Sequence, residues 1–193
     1  MKKILIASDI HNNKKVIKNL LNLAKKYNVD LIILAGDIAT YDSFDPELIN
    51  PLVENYKVLF VPGNCDFDED LKKIDKRAIN IDKEIYFFED ISIIGIGCKN
   101  WKLKLTKKDF DELDLKFKSI KSKRIILISH LHVKDSIAEF SGIKGDYYLK
   151  KIILNNQPIV AFCGHVHEAE GMVDEIEKTK IIQVGKSGII FEI

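Results

Sequence analysis

Short apolar runs, each too brief for a helix and each cut off by an acidic, glycine or proline residue, recur along this 193-residue chain and restrict what it can fold into. Ile4–Ser8 stops at Asp9, Leu31–Ala35 at Gly36-Asp37, and Val58–Val61 at Pro62-Gly63-Asn64. Unbroken Ile/Leu/Val runs of this kind suit strands buried on both faces. Between them, Val16–Tyr27 carries apolar residues at helical spacing. Pro46–Asn55 reads as a weaker helix, with Asp45 as N-cap and Pro46 at the first helical position. Strand, helix, strand, helix, strand in this rhythm predicts a parallel sheet covered on its faces.

The second half adds Ile85–Phe88 and Ile91–Ile96 as an antiparallel pair turning at Glu89-Asp90, and further strands at Ile125–Ser129, Ile159–Cys163, Lys180–Val184 and Gly188–Ile193. Helices are expected over Lys107–Lys118 and Tyr147–Asn155. So many strands in a chain of this length predict an α/β protein of two sheets packed face to face with helices outside. No repeat, low-complexity tract or linker interrupts it, so residues 1–193 are expected to form one domain, large enough to need no staples.

A formal net charge of +1 gives no global pull toward nucleic acid or membrane, and both are disfavoured as partners. Residues 99–124 are locally basic, with ten Lys or Arg against four Asp or Glu. A solvated charged helix explains that; a groove for a phosphate-rich substrate requires those lysines to face the site. Three irregularly spaced cysteines, Cys65, Cys98 and Cys163, fit a reducing compartment. The run Ile4–Ala7 is too short for a signal-peptide core, and no stretch approaches the ~20 apolar residues of a spanning helix, so a soluble cytoplasmic protein is expected.

The chemistry gathers just past the expected strands: Asp9-Ile10-His11, Gly36-Asp37, Gly63-Asn64-Cys65-Asp66, Ser129-His130 and Gly164-His165-Val166-His167. In an open α/β sheet, side chains from distant segments converge at the carboxyl ends of strands. Asp9 and His11, two apart, point to one side if the backbone there is extended, and so do His165 and His167. Carboxylates, imidazoles and an amide carbonyl suit Mn²⁺, Fe²⁺, Zn²⁺, Co²⁺ or Ni²⁺. Glycines before Asp37, Asn64 and His165 permit sharp turns that aim these side chains inward. The plain alternatives are helix caps, turn residues and buried hydrogen-bonded histidines.

The ordered series D-x-H, G-D, G-N-x-D, H and G-H-x-H resembles the signature of the calcineurin-like metallophosphoesterases and spans most of the chain. Any one block is weak; the five in order are specific. The resemblance implies a four-layer αββα sandwich of two mixed β-sheets flanked by helices, with a two-metal site at one sheet edge. It implies that Asp9, His11 and His167 hold one divalent transition-metal ion, Mn²⁺ favoured, that Asn64, His130 and His165 hold another, and that Asp37 bridges them. It also implies hydrolysis of a small phosphoester, a nucleotide-derived one among the candidates, by a hydroxide held between the metals.

Two positions depart from the family pattern. Cys65 stands where the third block usually has a histidine that acts on the leaving group. A thiol is the poorer proton donor, and small G-N-C-D relatives are mostly regarded as phosphodiesterases, so diesters are expected over monoesters. Asn12 stands where many relatives have glycine, and asparagine tolerates the left-handed backbone. His132, two beyond His130, is a candidate for the missing proton donor, with water as the alternative, while Asn64 is expected to help neutralise developing charge. Cys98 and Cys163 are expected in the core, and Trp101, after Gly95-Ile96-Gly97, as a packed surface aromatic, with a place in the wall of the pocket as the alternative. A non-catalytic scaffold on the same fold, a nuclease and a phosphomonoesterase are the rival functions.

Overall fold

In the computed structural model, which describes residues 1–122 and 124–193, eleven strands form two sheets. The first contains β1 (Lys3–Ala7), β2 (Leu31–Ala35), β3 (Val58–Val61) and β4 (Ala78–Asn80). The second contains β5 (Ile85–Phe88), β6 (Ile91–Ile96), β7 (Ile125–Ser129), β8 (Val160–Cys163), β9 (Val173–Ile176) and β10 (Thr179–Gln183), and β11 (Ile189–Glu192) returns to the first. The strand orders are β11-β1-β2-β3-β4 and β5-β6-β7-β8-β10-β9. Strands β1 to β4 run parallel, as do β6, β7, β8 and β10, whereas β11, β5 and β9 pair antiparallel at the edges. Both sheets are therefore mixed, as expected.

Alternation along the strands builds three apolar layers. Ile4, Ile6, Leu31, Ile33, Leu59 and Val61 meet Ile91, Ile93, Ile126, Ile128 and Phe162 between the sheets. The opposite faces of β1 and β2, through Leu5, Ile32 and Leu34, pack on α1 (Lys14–Tyr27) and α2 (Asn50–Val53). A third helix, α3 (Asp68–Leu71), is a single exposed turn near the end of β3. On the far side Ile94, Leu127, Ala161 and Ile181 pack beneath α4 (Lys107–Ser119) and α5 (Tyr147–Asn156), and this layer holds Cys98 and Cys163. The result is an αββα sandwich. No described helix is long and apolar enough to cross a membrane.

Local signals set the helix ends. Asn13 caps α1 by accepting from the amides of Lys15 and Val16, and Asn28 ends it in the left-handed conformation. Thr106 and Asp109 form a reciprocal capping box on α4. The expected helix 46–55 contracts to Asn50–Val53 with Ile49 at the cap position. Asp45 does accept from Glu47 N–H, but it closes a separate turn ahead of the helix. The edge strands β4 and β9 were not expected.

Most of the described positive charge in 99–124 is spent locally: Lys99 pairs with Asp68, Lys102 with Asp109, Lys107 with Asp111, Lys116 with Glu84, Lys118 with Asp114 and Arg124 with Asp90. Lys104 differs, since it lines a small cavity with His132 and His165. Lys123 lies outside the described residues.

Candidate metal centre

The parallel strands of both sheets present their carboxyl ends at one edge, and β1, β2, β3, β7 and β8 each deliver one of the five blocks there. The loop after β1 is zipped to the loop after β2: the amides of Asp9, His11 and Asn12 donate to the carbonyls of Gly36, Asp37 and Ile38 at 2.9–3.0 Å. This ladder holds Asp9, His11, Asn12 and Asp37 at φ of 58°, 48°, 55° and 51°. Asp9 and His11 thus reach one site through left-handed turns, not through the extended backbone expected for them, and His165 is also left-handed at 72°. Clustered positive φ at non-glycine residues is uncommon and is retained where the surroundings over-determine it.

Two donor groups result. In the first, Asp9 Oδ1 lies 3.3 Å from His167 Nε2 and 3.9 Å from His11 Nε2, while the two histidine nitrogens face each other at 3.1 Å. In the second, His130 Nε2 lies 3.1 Å from Asn64 Oδ1 and 3.5 Å from Asp37 Oδ1. Asp37 joins them, because its Oδ2 is 3.7 Å from His11 Nε2. Its Oδ1 also accepts the Cys65 amide at 2.8 Å, which fixes the carboxylate between the groups.

Hydrogen bonding tests whether cations fit here. His130 Nδ1 meets the Ala35 carbonyl at 2.9 Å, so in the neutral ring the proton sits on Nδ1 and Nε2 carries the lone pair. Asn64 Nδ2 donates to Cys65 Sγ at 3.3 Å, which turns Oδ1 toward His130. Three acceptors then converge with no donor among them. Asp9 Oδ1 is buried, and its contact with His167 falls outside hydrogen-bond geometry, leaving it without a donor. Such orphaned acceptors are costly to bury, and a divalent cation satisfies them. The donor set fits.

His165 stands slightly apart. Its ring packs edge-on to His130 with centroids 5.3 Å apart, and its amide donates to Asp9 Oδ2. Yet it belongs to none of the described groups of ligand atoms lying within 4.8 Å of one another. Burial, with His130 and His132 close by, pushes its imidazole down to about 4, so it is neutral at pH 7 as a ligand must be. Contact with Asp9 raises His167.

His132 is buried behind this ring. It stacks on His165 at 16° between planes, its Nε2 donates to the Ile143 carbonyl at 3.1 Å, and its Nδ1 has no partner. His132 thus packs against the His165 ring, and its Nε2–H is engaged by the Ile143 carbonyl. Cys65 Sγ is grouped with His11 and Asp37. Burial first, then the charge of Asp37, pushes its thiol far above the ordinary range, so it stays protonated.

Three residues escaped sequence reasoning. Asp66, part of the third block but given no role from sequence, accepts from Gly63, Ala39 and Ile38 N–H at 2.7, 2.8 and 3.3 Å and clamps the β2 and β3 loops together. Burial pushes its carboxyl up to about 6 against those bonds. Lys186 and Glu170 line a cavity of about 180 Å³ beside Asp9, His11 and His167. No local signal in the sequence marks them.

The glycines act through space as much as through turns. Gly36 is left-handed at φ 94°, and a Cβ there would overlap the His130 ring. Gly63 has no positive φ, but a Cβ would overlap the Asp37 carboxylate.

Known proteins share this architecture. The sequence profile described as calcineurin-like phosphoesterase matches residues 2–169. An uncharacterized protein of Methanocaldococcus jannaschii is 30% identical over 167 residues, covering 79% of this chain and 76% of its own. The structure of TT1561 of Thermus thermophilus is similar over 96% of this chain and 90% of its own, with a TM-score of 0.78 at 15% identity. A dimetal phosphatase from Danio rerio is similar over 96% and 88%, with a TM-score of 0.71 at 12% identity. At such identities these two structures speak for the fold.

Proposed function

The chain belongs to the calcineurin-like phosphoesterase family, and we propose that it is a metal-dependent phosphodiesterase with a binuclear centre. Asp9, His11 and His167 would hold one divalent ion, Asn64, His130 and His165 the other, and Asp37 both. Mn²⁺ is favoured for this hard-to-intermediate donor set, with Ni²⁺, Co²⁺, Fe²⁺ and Zn²⁺ as alternatives. The observation that carries the reading is the meeting of His130 Nε2, Asn64 Oδ1 and Asp37 Oδ1, all acceptors, within 3.1–3.5 Å of the imidazole nitrogen. Cations bound there supply charge to polarise phosphoryl oxygens and acidify a water.

The reaction is hydrolysis, with water adding to phosphorus in line with the departing oxygen. Asp37, gripped by the Cys65 amide, keeps the two donor groups at a fixed separation. Asn64 Nδ2 carries two N–H donors and gives one to the soft Cys65 sulfur, so the other is available to a phosphoryl oxygen as charge develops while Oδ1 keeps its place. The Cys65 thiol is too weak an acid to protonate an alkoxide well, and His132 already donates to Ile143. Water therefore protonates the leaving group, which favours diesters with good leaving groups over monoesters.

The test is hydrolysis of bis(p-nitrophenyl) phosphate and of p-nitrophenyl phosphate by protein stripped of metal and refilled with each candidate ion. Metal-dependent turnover of the diester, at least tenfold faster than the monoester, supports the reading. Equal or faster turnover of the monoester refutes the diesterase assignment. Absence of turnover with every ion, in protein that remains folded, refutes hydrolysis of these substrates.

A further inference from the structure

On the loops that carry the donor groups lies an exposed aromatic cluster that metal binding does not explain. Asn100 and Trp101 are consecutive left-handed residues, at φ 54° and 63°. For a bulky aromatic side chain that conformation is a genuine outlier, and such strain persists only where the surroundings impose it. Here the Trp101 amide donates to the Asn64 carbonyl at 3.0 Å and the Asn100 amide to the Asp66 carbonyl at 3.2 Å. The Asn100 side chain adds a two-way clasp with Asp68, at 2.8 and 3.2 Å.

This strained turn leaves the indole 56% exposed. Its centroid lies 5.0 Å from the Tyr41 ring, itself 63% exposed, and 6.0 Å from Phe67. The three rings hang on the loops that carry Asp37 and Asn64: Tyr41 is four residues past Asp37, Phe67 three past Asn64, and Trp101 is bonded to Asn64. Tyr41, Phe67, Asp68, Glu69, Asp70 and Asn100 line a cleft of about 410 Å³.

We infer that Trp101 and Tyr41 form a stacking shelf for a nucleobase carried by the substrate, so that the phosphoester is that of a nucleotide. The substrate class rests on the phosphoesterase reading; the shelf itself does not. Any base offers a π-face to such rings, and stacking on exposed aromatics is the common mode for bases outside a duplex. Of the cleft's carboxylates, Asp68 is paired with Lys99 and Asp70 with Lys73, and Glu69 is placed to accept from an exocyclic amino group. A nucleotide with an amino-substituted base such as adenine matches it.

Trp101 is the one tryptophan of the chain, so its emission reports on the shelf directly. Zn²⁺-loaded protein is titrated with AMP and, separately, with ribose 5-phosphate. Saturable quenching by AMP, with ribose 5-phosphate at least fivefold weaker by competition, is expected. In Tyr41→Ala the AMP dissociation constant should rise at least fivefold, and more than that of ribose 5-phosphate. Unchanged emission, or equal affinities for AMP and ribose 5-phosphate, overturns the shelf.

A second arm compares thymidine 5′-(p-nitrophenyl) phosphate with methyl p-nitrophenyl phosphate, which release the same leaving group. Trp101→Gly suits the left-handed backbone, and its kcat/KM ratio for the two esters should fall at least fivefold, carried by KM. An unchanged ratio overturns the proposal. If neither ester is hydrolysed the phosphoesterase reading fails, and the emission titration still decides the shelf.

Discussion

His130 hangs from the second sheet, yet its Nδ1 donates to the carbonyl of Ala35 in the first, 2.9 Å away. That single cross-sheet bond fixes the tautomer and aims Nε2 at Asn64 and Asp37. Outer hydrogen bonds of this kind orient ligating imidazoles and raise their basicity. Here the partner is main chain, so it is removed by displacing the ring and not by truncating a side chain.

Gly36→Ala does that. A Cβ at Gly36 would overlap the His130 ring, and the position is left-handed at φ 94°. The backbone conformation alone should cost ~1–2 kcal/mol in urea unfolding. Metal affinity should fall about 10–100-fold in a calorimetric titration. Wild-type affinity in a destabilised Gly36→Ala variant would show that the His130 ring is not held by this contact.

Asp109 should set part of the acid lability. It is buried among Lys102, Lys83 and Thr106, and although burial opposes its charge, those bonds hold the carboxyl well below the usual carboxylate range. A depressed folded-state value means this stabilisation is complete above the unfolded value of about 4 and is lost as pH falls below it. Asp109→Asn should cost ~1–3 kcal/mol at pH 7. The gap between wild type and variant should narrow progressively as pH falls from about 4 to about 2 in denaturant titrations; a gap independent of pH contradicts this role.

Asp66→Ala should loosen the site without touching a donor atom. Three buried amides lose their acceptor, at ~1–3 kcal/mol for each one that water does not reach. Metal affinity and stability should fall together, measured on one sample by thermal unfolding with and without Mn²⁺.

Cys65→His should restore a proton donor near the leaving group. General acid assistance is worth roughly 10²–10⁴-fold where the leaving group needs it. The gain should therefore appear with phenyl phosphate and be small with p-nitrophenyl phosphate. An equal gain on both would mean that Cys65 acts through site geometry and not through proton supply.

Much of this was legible in the chain. Strands β1, β2, β3, β7 and β8 are buried on both faces and read as unbroken apolar runs, each stopping where its site residue begins. The short edges β4 and β9 are half-exposed and carry no such run, so nothing marked them. Asp45-Pro46 carries a helix-start signal that the chain uses for a turn. The extended reading of Asp9 and His11 failed because the ladder to Gly36, Asp37 and Ile38, a tertiary contact, dictates their φ. Lys186 and the Trp101 shelf depend on loops from distant segments meeting, which no local pattern encodes. His132 shares spacing with His130, but spacing does not say that its Nε2–H is hydrogen-bonded to the Ile143 carbonyl.

The most direct test of the binuclear centre is metal content measured alongside activity. Stripped protein is titrated with Mn²⁺, and bound metal per chain is read by plasma mass spectrometry after gel filtration while diester hydrolysis is followed. The account expects two ions per wild-type chain, turnover that completes only with the second, and loss of both stoichiometry and turnover in Asp37→Ala. One ion per chain at full activity, or full activity in Asp37→Ala, would contradict it.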